Sequence, residues 1–381
     1  MIRYIAPLFL VFLAVGHAQW IEDKEIDGII RQGIDATYNL DFEQAEKSFR
    51  AVIARRPDHP AGYFFDAMID WWRIAVNPDD ESLDERFYEK LQNVIDMADE
   101  RLDRNEKDLA GLFFKGGAIG FRGRLRAMRK SWIKAAEDGK DALPVVLDAA
   151  ELAPDNVDLS LGTGIYDYLA AVLPDRYPVL KPLLLLFPDG DRVRGLKELK
   201  RAAHHGRYAR YEAMYMLVQA YYRFENDVPQ ALHYAKKLYD KFPGNSVFHR
   251  YLGRCYVRQG KWNLIHKVFT DVYRNWKKGK RGYGLHAARE AAYYIGFYHM
   301  VKRDYPAAKK YFVECDRLSR KIDKDGPSGY MVLANLKMGQ VFDLMNQRKY
   351  AMKQYDKVLD MKEFRNSHEL AEKYLASPYR N

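Results

Sequence analysis

The sequence predicts an all-α chain: a right-handed solenoid of about eight helix pairs, with a proline-rich insertion and a C-terminal capping helix. Three observations predict it. Small residues and aromatics recur at fixed spacing in five places along the chain. The segments between them carry helical apolar periodicity, and the alternating β-branched runs with two-residue turns that mark strands are missing.

The elements follow in chain order. Arg3, the apolar run Ile5 to Val15 and the small residues Gly16, His17 and Ala18 read as a signal peptide over 1–18. That run has eleven residues, whereas a spanning helix needs about 20. The residue after Ala18 is Gln19, so there is no cysteine there for a lipid anchor. The expected protein is exported, periplasmic or secreted, and soluble once the leader is removed. Aromatics at 14% and apolar residues at 48% exclude a disordered chain. Cys255 and Cys315 are too few for a disulfide framework, and both fall on apolar helix faces, which predicts buried free thiols.

A single solenoid is expected over 19–376, with a tail at 377–381. A unit starting at Ile26 places Gly33, Ala45, Phe49, Val52 and Pro57 at positions 8, 20, 24, 27 and 32. Units starting at Glu212 (Tyr222, Ala231, Leu238, Pro243) and at Ser246 (Gly253, Tyr256, Phe269, Val272) lie 34 residues apart. Two further units start at Arg289 (Gly296, Ala308, Phe312, Cys315) and Val332 (Gly339, Phe342, Ala351, Tyr355, Val358). These spacings resemble the tetratricopeptide repeat (TPR), a two-helix unit of about 34 residues. Small residues at positions 8 and 20 let the two helices of a unit cross closely, residues 24 and 27 fill the gap to the next unit, and proline stops the second helix. Looser pairs are expected at 60–103 around Trp71 and Trp72, at 107–153, and at 157–206 with the insertion at 173–189. A helix at 367–376 is expected to cap the core against water.

In residues 183–222, the Leu-rich run, Gly190-Asp191-Arg192, Gly195-Leu196 and Leu199 resemble the marker block of the tetratricopeptide repeat protein 39 family, departing from it at Phe187-Pro188-Asp189. The resemblance implies TPR architecture. It implies no shared role, because that family is intracellular and this N-terminus reads as a leader. Read from the residues alone, Asp189 or Asp191 caps a helix and Gly195 allows a close approach. The insertion, with Pro174, Pro178, Pro182 and Pro188 among apolar residues, is expected to fold back over the inner face of the solenoid.

Motifs for chemistry are missing. His368-Glu369-Leu370-Ala371-Glu372 lacks the second histidine of a zinc-protease helix. Gly116-Gly117-Ala118-Ile119-Gly120 follows no strand and has no Lys-Ser/Thr, so close helix packing explains it better than phosphate binding. His204 and His205 sit at a helix end, where a cation meets the negative end of the dipole. The chain is therefore expected to be no enzyme, with no catalytic residue, metal or cofactor.

Binding is what remains. A concave face built from the first helix of each unit would take a protein or peptide partner on Tyr222, Arg223, Tyr256, Arg258, His299 and Asn335, with Tyr63, Phe64 and Trp71 nearer the N-terminus. Two basic stretches are candidates for anions: Arg122, Arg124, Arg126, Arg129 and Lys130, and then Lys277, Lys278, Lys280 and Arg281. The expected function is an exported interaction scaffold or adaptor. The alternative is a binder of an anionic envelope polymer or a membrane surface, and an enzyme with an unrecognised site comes third. Nucleic acid is not an expected partner of an exported chain.

Overall fold

A computed structural model describes residues 21, 23–178, 181, 187–324 and 326–380. The leader at 1–18, and residues 179, 180 and 182–186 of the insertion, lie outside the described residues. Among the described residues there are seventeen α-helices and no strand. They run as eight consecutive pairs and a final helix: α1 Lys24–Tyr38 with α2 Phe42–Arg55, α3 Pro60–Val76 with α4 Asp84–Arg104, α5 Leu109–Met128 with α6 Trp132–Leu152, and α7 Ser160–Arg176 with α8 Arg192–His205. Then come α9 Arg210–Ala220 with α10 Val228–Lys241, α11 Ser246–Arg258 with α12 Trp262–Lys277, α13 Leu285–Val301 with α14 Tyr305–Ile322, α15 Gly329–Leu344 with α16 Arg348–Leu359, and α17 Ser367–Ala376.

Four of the pairs, the first, sixth, seventh and eighth, share one internal contact. The aromatic ring at position 24 of the second helix lies on the glycine at position 8 of the first. A Cβ at Gly253 would meet the Phe269 ring at 2.7 Å, one at Gly296 would meet Phe312 at 3.0 Å, and Gly33 and Gly339 face Phe49 and Tyr355 in the same way. The same rings also reach the next unit, as expected: Phe49 stacks on Phe65 at 5.7 Å and Phe269 on Tyr294 at 4.5 Å. All four rings are fully buried.

A second marker is conformational. The tight turn between the two helices of a unit places its position-15 residue in the left-handed region: Leu40 (φ 61°), Asn226 (55°), Gly260 (64°), Arg303 (62°) and Asn346 (58°). Lys130, at φ 61°, does the same between α5 and α6. Counting back from it starts the third unit at Gly116 and puts Gly123 at position 8, Ala135 at 20 and Ala142 at 27. Position 24 of this unit is then Gly139, where four other units carry a ring. The sequence hides this unit because its most diagnostic residue is missing.

In the fourth pair, α7 runs on through Pro174 to Arg176, about one turn past Leu173, where the insertion was expected to begin. Proline near a helix C-terminus costs little when α7 already ends there, with the Tyr177 N–H donating to Leu173 at 2.8 Å. Asp191, not Asp189, caps α8, accepting from the N–H groups of Val193 and Arg194 at 2.9 Å each. At Gly195 a Cβ would stand 2.5 Å from the backbone nitrogen of Tyr168. Alanine in place of a helical glycine ordinarily gains about 1 kcal/mol. Here the obstacle is backbone, which cannot swing aside, so Gly195→Ala is expected to destabilise the chain by at least about 2 kcal/mol in a urea titration.

The pairs do not form an open spiral. The first two come into contact with the fifth and sixth, far along the chain. Tyr38 donates to Glu212 at 2.9 Å, Asn245 donates to the Tyr38 carbonyl at 2.7 Å, and Lys241 pairs with Asp35 at 2.7 Å. Trp72 packs edge-on against Tyr38 and Phe248, ring centroids 5.0 and 5.3 Å apart, and tilts against Tyr215 at 5.4 Å. Asp27, buried in α1, accepts from Arg207 and Tyr208 at 2.8 Å each. Burial alone would raise its pKa, and these bonds hold it below the usual carboxylate value instead.

Candidate functional site

Because the turn closes, the concave face of units one to five becomes an interior. It holds a half-open cavity of about 570 Å³ lined by Phe64, Met68, Phe121, Ile165, Leu169 and Phe187, among other residues. That volume lies within the range of roughly 300–1,000 Å³ typical of small-molecule sites. The space has a sequence cause. Gly139, where four other units have a ring, lines it, and so do Gly116, Gly117, Gly120 and Gly123. A Cβ on Gly139 would touch only Phe187, at 3.5 Å, and one on Gly120 would touch nothing within 4 Å. The glycine cluster of α5 therefore does two jobs. Gly116 and Gly117 bring α5 close to Val146 and Phe64, as expected of small residues between helices, while Gly120 leaves room.

Polar groups at the wall are mostly satisfied by the protein itself. Arg124 pairs with Glu212, which also accepts from Tyr38, and the Arg124 guanidinium lies over the Trp71 ring, 4.6 Å from its centroid. Tyr168 donates to Glu225 at 2.8 Å, and burial with that bond raises its pKa well above the usual tyrosine value. Arg223 is different. It lines the cavity with part of its side chain exposed, its guanidinium donates to the Tyr251 hydroxyl, and among the described residues no carboxylate stands within ion-pair distance of it.

The residues singled out from sequence scatter over several environments. Phe64 and Arg223 line the cavity, and Tyr63 is half-buried against the core. Trp71 is buried beside Phe87 and Phe121, and Asn335 is fully buried, its amide donating to Asp316 at 2.6 Å and to the Met331 carbonyl at 2.8 Å. Neither of these two faces a partner: the aromatic and the amide are spent inside. His299 is held by Asp304 at 3.1 Å and stacks on Tyr311. Arg258 is exposed and lies over Tyr222, 3.9 Å from its centroid, while donating to Asn226 at 2.9 Å; Tyr256, on the same helix, is half-buried.

The first basic stretch is largely neutralised. Arg122 and Arg126 share Asp138 at 2.8 and 2.7 Å, Arg129 holds Asp84 at 2.5 Å, and Arg124 has Glu212. Lys130 is exposed. In the second stretch Arg281 reaches across to Asp41 and Glu43 as part of the closing contact, at 3.3 and 3.2 Å. Lys277, Lys278 and Lys280 stand exposed, Lys277 over Trp276. Both thiols are free and buried, and burial pushes each up to about 12, far from the reactive thiolate range. Among the described residues no helix is long and apolar enough to cross a membrane, and no cluster of three or more His, Cys, Asp or Glu is placed to hold a metal.

Paired antiparallel helices stacked in register, four of the pairs locked by a ring on a glycine, define the class: a helical-repeat solenoid. The tetratricopeptide repeat family model matches residues 212–245, the fifth pair. The match covers the fifth pair alone, and the register of the pairs around it resembles the same repeat. The chain is also similar to several solved structures. Yeast Tom70 is 13% identical, with 93% of this chain and 89% of that one covered at a TM-score of 0.39. The C-terminal part of a TPR repeat-containing protein from Cytophaga hutchinsonii is 14% identical, covering 76% and 95% at 0.37. The human IFIT1 dimer with m7Gppp-AAAA is 11% identical, covering 94% and 86% at 0.42. No curated protein matches the sequence.

Proposed function

We propose that the protein is an exported, non-catalytic interaction scaffold that takes an acidic segment of a partner protein at the ends of α9 and α11. One observation carries this reading. Arg258 is exposed, held flat on Tyr222 and fixed by Asn226, with no carboxylate of its own among the described residues. A guanidinium pre-organised over an aromatic ring and left without a counter-ion suits a carboxylate supplied from outside. The anionic-polymer alternative loses its first stretch, whose arginines are bound to Asp138, Asp84 and Glu212, and keeps only the exposed Lys277, Lys278 and Lys280 of the second.

The test uses a photo-reactive residue at Tyr222. It is expected to cross-link a partner peptide rich in Asp and Glu, and Arg258→Glu is expected to weaken binding roughly tenfold or more. Equal capture by wild type and Arg258→Glu would count against the reading. Export is checked separately, by the N-terminal residue of the protein recovered from its native host, which should be Gln19.

A further inference from the structure

A cavity inside a TPR solenoid poses a question that a peptide-binding face does not answer. A peptide drawn into it would have to satisfy its own backbone N–H and C=O groups away from water. The wall offers little for that purpose. It is made mostly of apolar side chains and bare glycines; Tyr38, Arg124, Tyr168 and Tyr208 are already committed to Glu212, Glu225 and Asp27, Thr37 and Tyr166 donate to the Gly33 and Pro188 carbonyls, and the Gln219 amide, which donates to the Met216 sulfur at 3.8 Å, is too little to satisfy a peptide backbone. A hydrocarbon chain has no such groups to satisfy.

At its edge the cavity has one uncompensated cation. Arg223 sits at the C-terminal end of the first helix of unit five, in a short π-helical turn over Tyr221–Glu225, with Phe224 beside it in the cavity wall. The other arginine of the wall, Arg124, is neutralised by Glu212 and makes no demand on a ligand. The geometry thus sets an apolar interior behind a single partly exposed guanidinium, which is the complement of an anionic amphiphile.

We infer that the cavity binds one aliphatic chain bearing an anionic head, with the chain among Phe64, Met68, Ile165 and Leu169 and the head on Arg223. This site is separate from the Arg258 face and does not depend on the partner proposed there. The room for the chain comes from the repeat's own irregularity: Gly139 stands where four other units carry a ring, and among the described residues nothing lies within 4 Å of a Cβ on Gly120.

Two sources share this chemistry, a free fatty acid and a single-chain phospholipid, and the test separates them. Palmitate, a palmitoyl lysophosphatidylglycerol and uncharged hexadecanol are titrated against the full mature chain by competition with a fluorescent fatty acid. Palmitate or the lysolipid is expected to bind at one per chain, the tighter of the two identifying the source. Gly120→Leu is expected to weaken binding at least tenfold while thermal stability and circular dichroism stay near wild type. Gly139→Phe, which restores the ring of a regular unit, is the second filling variant, in case the first perturbs α5. Arg223→Ala is expected to weaken the anionic ligands at least fivefold and leave hexadecanol unchanged. Equal binding of hexadecanol and palmitate, with no effect of Arg223→Ala, would overturn the assignment of the head. Absence of binding by all three, or binding unaffected by both filling variants, would overturn the site. Tight binding of an apolar peptide in place of the lipids would do the same.

Discussion

Replacing Glu290 by glutamine is expected to destabilise the protein by about 3 kcal/mol, because it leaves two half-buried guanidiniums facing a neutral, fully buried amide. Glu290 on α13 is fully buried and is gripped by Arg250 at 2.7 Å and Arg254 at 2.5 Å, both from α11. Arg250, Arg254 and Arg258 stand four residues apart, so they form one stripe along α11. The first two are spent on holding unit seven to unit six, and only Arg258 is left for a partner. Burial alone would raise the Glu290 pKa from its ordinary 4.5, but the charges of Arg254 and Arg250 outweigh burial and bring it to about 2. The folded value lies below the unfolded one. The stability from this carboxylate is therefore complete above about pH 4.5 and is lost as pH falls toward 2. Urea titrations across that window should show wild type losing stability with acid and Glu290→Gln losing much less. Parallel slopes in the two proteins would contradict this account of the ion triad.

The second large effect is expected at Trp72. Truncation to alanine should cost about 3–5 kcal/mol, as for other fully buried large rings, since only 1% of Trp72 is exposed. What sets it apart from the rings at position 24 is where the loss should appear. Phe312 packs on the glycine of its own unit, whereas Trp72 joins unit two to Tyr215 of unit five and Phe248 of unit six. Hydrogen exchange in Trp72→Ala should therefore rise on α9 and α11 as well as on α3. In an open solenoid, where each repeat touches only its neighbours, it would rise on α3 and the adjoining pairs alone.

The elements that sequence disclosed best are those made by neighbours. A glycine at position 8 and a ring at position 24 are sixteen residues apart in the units starting at Ile26, Ser246, Arg289 and Val332, so the contact that locks those pairs is visible as spacing; the unit at Glu212 has Gln219 and Ala235 there instead. The third unit was blurred for the converse reason. Gly139 occupies the ring position, and the surviving marker, a left-handed residue at Lys130, is a backbone conformation that lysine does not advertise. The closing contacts were not readable at all. Tyr38 and Glu212 are 174 residues apart, and nothing in either unit's pattern says which distant unit it will meet.

The same limit governs the candidate site. Arg122, Arg124, Arg126 and Arg129 look like a basic patch in one dimension because Asp138, Glu212 and Asp84, which neutralise them, come from other helices. Asn335 looked like a groove residue because it lies on the first helix of its unit, yet Asp316 and Lys357 bury it in a polar cluster, the lysine donating at 2.5 Å. Arg223 and Arg258 were named for the same reason as Asn335. They differ in that no carboxylate reaches them among the described residues.

The central claim is that the chain closes one turn of solenoid on itself and so converts a groove into an interior. The most direct measurement is zero-length carbodiimide cross-linking of the native chain, followed by mapping of the linked peptides. Lys241 and Asp35, 2.7 Å apart across the closure, should be joined by an amide with loss of water, alongside Lys90 and Asp66, the same distance apart within unit two. Recovery of the Lys90–Asp66 link without any Lys241–Asp35 link would show an open solenoid and contradict the account.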